Sequence, residues 1–206
     1  RHSFPTRRSS DLYSQDGDLS LLPEIISLCK THEAMLMLDD AHGIGVMGAN
    51  GRGTAEHFNC LGQVDIITGT FSKSFGCVGG FAAASKKIIQ YLKFYADSNV
   101  FSAAPTPQVT ASILKALEII KKEPAIRARL WENTDYLRSR LTTEGFDIGK
   151  SVSPIFPIMI RDNKKVYEIA KMLQEKGIFT IGIVYPAVRT KEARLRISVL
   201  ATHEHE

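Results

Sequence analysis

The alternation of apolar and polar positions divides the chain into short buried runs and longer amphipathic stretches. Apolar runs at 35–38 and 64–67 read as buried parallel strands, and FAAAS after Gly80 as a strand of small residues. Helical spacing runs over 20–31, where Ser20 suits the N-cap, Pro23 and Glu24 suit the first turn, and Ile25, Leu28 and Cys29 share a face. It returns over 86–96, with Ile88, Ile89, Leu92 and Tyr95 inward, and over 109–121, where Thr106 and Pro107 make a cap and first-turn pair. Pro124 opens a further helix, with Ile126, Leu130, Leu137 and Leu141 at helical spacing and Trp131 packing rather than binding. Beyond Gly145 the pattern changes to strands over 154–160, 178–184 and 195–200 around a helix over 164–176 that Gly177 stops.

This order predicts an α/β domain with a mostly parallel sheet over 13–122, followed by a smaller α+β domain over 123–206. Residues 1–12 are basic and show no apolar period, and they read as a non-native leader outside the fold.

Composition narrows the function classes. A hydrophobic share of 44% and a charged share of 23% suit a soluble globular protein. Of the net charge of +4, residues 1–12 supply half, three arginines against one aspartate, so the remaining excess is too small to argue for nucleic acid. The three cysteines, Cys29, Cys60 and Cys77, have no metal-ligand spacing and read as buried thiols of a reducing compartment. No apolar run approaches the roughly 18 residues of a membrane span.

Chemistry concentrates where two predicted strands end. One run leads into GTFSKSFGCVGG, with Lys73 among the hydroxyls of Thr70, Ser72 and Ser74. A lysine at the end of a buried strand is placed to lose its proton, and a neutral amine forms a Schiff base with a carbonyl. A phosphate-binding P-loop is excluded, because Ile67 and Ser72 stand where its two glycines belong. The other run ends in Asp39 and Asp40, followed by His42. Ligands of open α/β sheets bind at the carboxyl ends of strands, so the amine and an acid are expected to face one crevice. Pyridoxal phosphate needs those two groups, a lysine for its aldehyde and a carboxylate for its pyridinium nitrogen, and an imidazole suits its phenolic oxygen. Asp39 and Asp40 compete for the nitrogen. GIGVMG at 43–48 matches a dinucleotide fingerprint, with Asp65 about 20 residues on, but ANGRG follows it as a loop where the fingerprint must open a helix.

The motifs DDAHGIGVMGANGRG, GTFSKSFGCVGG, FSAAPTP and RLRISVLATH, in this order, resemble the α-oxoamine synthase family of fold-type I pyridoxal phosphate enzymes. Within it, TFSKSF and RISVLATH are most similar to the serine palmitoyltransferase branch. The resemblance covers the chain from about Tyr13 to its end. It implies the fold-type I transferase fold, a partial large domain here, in a protein with a long N-terminal portion that this chain lacks.

For the site, the resemblance implies that Lys73 holds the cofactor and then serves as acid and base. It puts Asp39 on the ring nitrogen, His42 on the phenolic oxygen and Thr70 on the phosphate. Ser102 would reach the phosphate of a neighbouring subunit, and Arg196 would hold the amino-acid carboxylate. Several branches place another carboxylate-binding arginine about twelve residues before Arg196, where this chain has Val184, which speaks against the oxononanoate and aminoketobutyrate branches.

The implied activity is condensation of an amino acid, serine favoured, with an acyl-CoA, giving an α-amino ketone, CO2 and CoA. The implied setting is a cytoplasmic homodimer serving sphingolipid biosynthesis. The alternatives are 8-amino-7-oxononanoate synthase, glycine C-acetyltransferase or an aminotransferase of the same fold and, in another class, a non-catalytic partner subunit or an inactive fragment.

Overall fold

The structure, a computed structural model, describes residues 6–10 and 12–205. The chain forms two compact units. One contains Ser20–Pro124 with the strand at Thr6–Ser10, and the other is formed by Tyr13–Leu19 and the residues from Ala125 onward. Tyr13–Leu19 thus goes with the second unit.

The first unit is built on a four-stranded sheet. Strands β1 (Thr6–Ser10), β2 (Met35–Asp39) and β3 (Ile66–Thr70) run parallel, and β4 (Gly80–Ala84) returns antiparallel beside β3. Strand β1 lies within the stretch that shows no apolar period. Its sequence, TRRSS, has no apolar alternation, but it pairs along the whole of β2, from Thr6 opposite Met35 to Ser10 opposite Asp39. Backbone ladder bonds to an open strand edge do not depend on side-chain pattern, which is why periodicity missed it.

Helix α1 (Leu22–Thr31) covers β2. Leu22, Ile26 and Cys29 pack on Leu36 and Leu38 of the strand, with Ala55 of α2 (Thr54–His57) and Cys60. Ser20 is buried rather than capping, Leu21 takes the cap position without a side-chain bond, and Leu28 faces outward. Cys29 and Cys60 are buried as expected, whereas Cys77 is half-exposed.

Helices α3 (Lys86–Tyr95), α4 (Asp97–Val100) and α5 (Pro107–Lys122) follow β4. Thr106 caps α5, its hydroxyl accepting from the Val109 amide at 3.4 Å, with Pro107 as first residue. Tyr95 is not inward but exposed and stacked on Tyr91. Phe94 and Phe101 are 78% and 84% exposed, so this side of the unit leaves much of its aromatic surface uncovered.

The second unit is the expected α+β layer. Helix α6 (Pro124–Thr143) precedes β5 (Ile155–Met159), α7 (Asn163–Glu175), β6 (Ile181–Ile183) and β7 (Arg194–Ser198), and the strands lie antiparallel in the order β5-β7-β6. Ile158, Val166, Ala193 and Leu195 form its core. Asp162 caps α7 by accepting from the Lys165 amide at 3.0 Å, and Gly177 follows its end at a positive φ of 80°. Tyr13–Leu19 straps onto this sheet. The Val152 amide donates to the Gly17 carbonyl at 3.0 Å, and a Cβ on Gly17 would lie 2.1 Å from the Ile155 carbonyl oxygen.

Candidate functional site

Because β2 and β3 are parallel, their carboxyl ends share one edge of the sheet. Asp39 pairs with Thr68, and Thr70 closes β3 two residues later. The chain then makes the 71–79 loop and returns as β4, with Thr70 opposite Gly80. The loop is bonded across itself, from the Phe71 amide to Gly79 at 2.9 Å, from Cys77 to Phe71 at 2.7 Å and from Gly76 to the Lys73 carbonyl at 2.9 Å. Phe71 meets Phe75 edge-on and lies beside Phe81, which anchors the loop to the sheet. Gly69 is required there, since a Cβ would sit 2.6 Å from the Phe81 ring.

Lys73 itself is exposed on this loop. The expectation that it stands where burial strips its proton is therefore corrected: the polar turn carries it out past the end of the strand. The Thr70 hydroxyl contacts the Ser72 hydroxyl at 2.8 Å and lies within hydrogen-bond distance of the Gly79 carbonyl at 3.2 Å. His42 is half-buried in the turn after β2, and an Asp39 carboxylate oxygen accepts from the Ala41 amide at 3.3 Å.

The 41–53 and 71–79 loops meet. The Ser74 hydroxyl donates to the Ile44 carbonyl at 2.7 Å, and Gly45 lies so close that a Cβ would come within 2.6 Å of the Ser74 side chain. Asp39 and Thr70 thus end neighbouring strands at one sheet edge, and His42 and Lys73 lie in the touching loops that follow them.

The two neighbouring aspartates separate clearly. Asp40 is fully buried, and its carboxylate accepts from the Thr54 amide at 2.9 Å and the Thr54 hydroxyl at 3.0 Å. Gly43 and Gly53 press against it, since a Cβ on either would fall within 2 Å of an Asp40 oxygen (1.9 and 1.7 Å). Asp40 is thereby occupied inside the loop, and Asp39 is left as the candidate for a ligand. Sequence reasoning missed Thr54, because a tie between residues 14 apart in a loop has no periodic signal.

Burial raises the Asp40 carboxyl from 3.8 to about 6, outweighing the Thr54 bonds that favour its charge. Proton uptake on folding means that its contribution to stability is full below the unfolded value and is lost as pH rises through about 6. Relative to Asp40→Asn, the wild type is expected to gain about 2.4 kcal/mol between pH 7 and pH 4. Paired urea unfolding curves across that range test this, and parallel pH profiles would refute it.

Among the other named residues, Ser102 is exposed on the 101–106 loop ahead of α5. Arg196 belongs to the second unit. There Arg194 is buried and Arg196 half-buried, so neither is a solvent-facing strand arginine. Arg194 pairs with Asp16 and donates to the Glu192 carbonyl at 2.7 Å. The Arg196 Nε donates to the Ser14 carbonyl at 2.6 Å, and among the described residues its two terminal nitrogens make no hydrogen bond. Burial lowers the pKa of this guanidinium from its usual value. The loop between β6 and β7 borders a cavity of about 460 Å³ lined by Tyr185, Arg189, Glu192 and Arg194 with Gln15 and Asp16.

Residues 15–206 match the family described as Aminotransferase class I and II. The chain is 47% identical over 192 residues to a serine palmitoyltransferase of Sphingobacterium spiritivorum, covering 93% of this chain and 48% of that protein. It is 46% identical over 195 residues to an 8-amino-7-oxononanoate synthase of Petrotoga mobilis, covering 95% of this chain and 50% of that protein. A solved structure described as SPT with PLP internal aldimine superposes with a TM-score of 0.93 at 31% identity, covering 97% of this chain and 51% of that one. The fold is therefore the expected pyridoxal phosphate-dependent transferase fold, and the chain spans about half the length of the curated relatives it matches.

Proposed function

Because the chain belongs to the aminotransferase class I and II family, we propose that the whole protein is a pyridoxal phosphate-dependent C-acyltransferase of the α-oxoamine synthase type. The observation that carries this reading is the meeting of the Asp39 and Lys73 loops at one sheet edge, through Ser74 and Ile44. An acid, an imidazole, an amine and three hydroxyls within these two loops fit the cofactor's nitrogen, phenolic oxygen, aldehyde and phosphate.

When bound, the cofactor supplies an electron sink for a carbanion at the substrate α-carbon. Lys73 holds the cofactor and moves the proton at the α-carbon. Asp39 keeps the proton on the ring nitrogen, and His42 donates to the phenolic oxygen. Thr70 turns its hydroxyl from the backbone to the phosphate, and Ser102 serves the phosphate of a neighbouring subunit in a homodimer. Arg196 holds the substrate carboxylate with its terminal nitrogens, oriented by the Nε bond to Ser14.

The substrates are an amino acid and an acyl-CoA, with serine favoured, and the setting is cytoplasmic sphingolipid synthesis. Among the described residues no helix is long and apolar enough to cross a membrane. The near-equal identity to an 8-amino-7-oxononanoate synthase supports that activity as a second reading, despite Val184. The presence of Lys73 and Asp39 argues against a non-catalytic partner subunit.

The test mixes the full-length protein with pyridoxal phosphate, then with serine and a long acyl-CoA. A visible absorbance band that Lys73→Ala abolishes, followed by release of CoA, supports the reading; a band that survives Lys73→Ala overturns it. Formation of 8-amino-7-oxononanoate from its precursors instead would select the second reading. Arg196→Ala is expected to raise KM for the amino acid at least about 30-fold, through loss of a charge-assisted carboxylate contact. Steady-state kinetics with varied amino acid check this, and an unchanged KM would remove Arg196 from the substrate site.

A further inference from the structure

Asp40 carries more bonds than a loop anchor needs. Its amide donates to the Thr68 carbonyl at 2.8 Å, which ties the end of β2 to β3. Its carbonyl accepts from the Gly43 and Ile44 amides at 3.1 Å each, fixing the start of the 41–53 loop. Its carboxylate holds the amide and hydroxyl of Thr54, fixing the end of the same loop. Inside that loop the Gly45 amide bonds the Gly51 carbonyl at 2.8 Å, closing it on itself. From the loop, the Ile44 carbonyl takes the hydroxyl of Ser74, the residue next to Lys73. A continuous set of bonds therefore runs from one buried carboxylate to the turn that carries the amine.

Resting on the reading above, we propose that Asp40 is a positioning residue for Lys73. It sets the 41–53 loop from both ends, and that loop holds the 71–79 turn through Ser74. Asp40 touches neither substrate nor cofactor. Its fully buried carboxylate, held between Gly43 and Gly53, constrains the loop and with it the direction of the Ile44 carbonyl. A rigid acceptor keeps Ser74 in place, and a fixed Ser74 limits where the Lys73 backbone can stand.

Hydrogen exchange of the full-length protein, read at the backbone amides of Gly76 and Cys77, tests the proposal without relying on turnover. Asp40→Ala is expected to speed exchange there about tenfold, the loss of roughly one hydrogen bond's protection. Asp40→Asn, which keeps an acceptor for the Thr54 amide, is expected to restore most of the protection. Ser74→Ala is expected to match Asp40→Ala, and the double substitution to add nothing further, because both cut the same connection. Unchanged exchange over 71–79 in Asp40→Ala, with the rise confined to 41–54, overturns the proposal; so does full additivity of the two substitutions.

Should Asp40→Ala fail to fold, Thr54→Val removes only the hydroxyl bond. It must then speed exchange at Gly76 and Cys77 about threefold, and no change there overturns the proposal equally. The family reading fails in a different way, as a wild-type protein that gains no visible band with pyridoxal phosphate.

Discussion

Replacing Lys73 with alanine in the full-length protein is expected to lower kcat by about 10,000-fold or more. On the proposed role of Lys73 two losses combine: the covalent hold on the cofactor and the proton transfer at the α-carbon, the latter alone accounting for about 100- to 10,000-fold. Lys73 is the only amine between Gly69 and Gly80, so no neighbour in that loop can take its place. The side chain is exposed on this chain, and in the cofactor-free protein substitution at such a position is expected to change stability by no more than about 0.5 kcal/mol. The signature is thus an inactive protein whose cofactor-free form melts where the cofactor-free wild type does. CoA release in a single-turnover assay, beside a thermal melt, checks both halves. Residual activity above a tenth of wild type would take the chemistry away from Lys73.

Gly53→Ala is expected to act on stability instead, by about 3 to 5 kcal/mol. Two penalties coincide at this residue. Its backbone, at φ 92° and ψ −167°, lies in a region open essentially to glycine alone, at a cost of about 1 to 3 kcal/mol for other residues. The new methyl would also stand 1.7 Å from an Asp40 oxygen that cannot retreat, because it already accepts from the Thr54 amide. Urea unfolding of wild type and variant measures the difference. A loss below about 1 kcal/mol would show that the loop adapts and that Asp40 does not hold it rigidly.

Much of this arrangement was legible in the chain. The apolar runs at 35–38 and 64–67 correspond to two parallel strands, with Leu36 and Leu38 buried under α1, and the polar stretches after them are the loops that carry His42 and Lys73. Other features carried no sequence signal. Strand β1 is polar, and only its partner's open edge makes it a strand. Strand β6 spans Ile181–Ile183 rather than 178–184, because pairing with β7 ends there whatever the apolar character of its flanks. Tyr95 has the spacing of an inward residue, yet it stacks outward on Tyr91. At the site, adjacent aspartates are equivalent on paper. Only the position of Thr54, fourteen residues away, shows that Asp40 is already committed.

The reversal of direction at β4 has one more consequence. A crossover to a parallel neighbour would have left a long, slack connection after β3. Here the segment bearing the amine is a short bight, tied off at both ends where Thr70 meets Gly80 and cinched by the Phe71–Gly79 bond. Its Cα has little room to travel. In the proposed role of Lys73, whatever distance the nitrogen covers between gripping one partner and shuttling a proton to another would come from rotation about its own four methylenes, so side-chain length, rather than loop motion, would set the stroke of the catalyst.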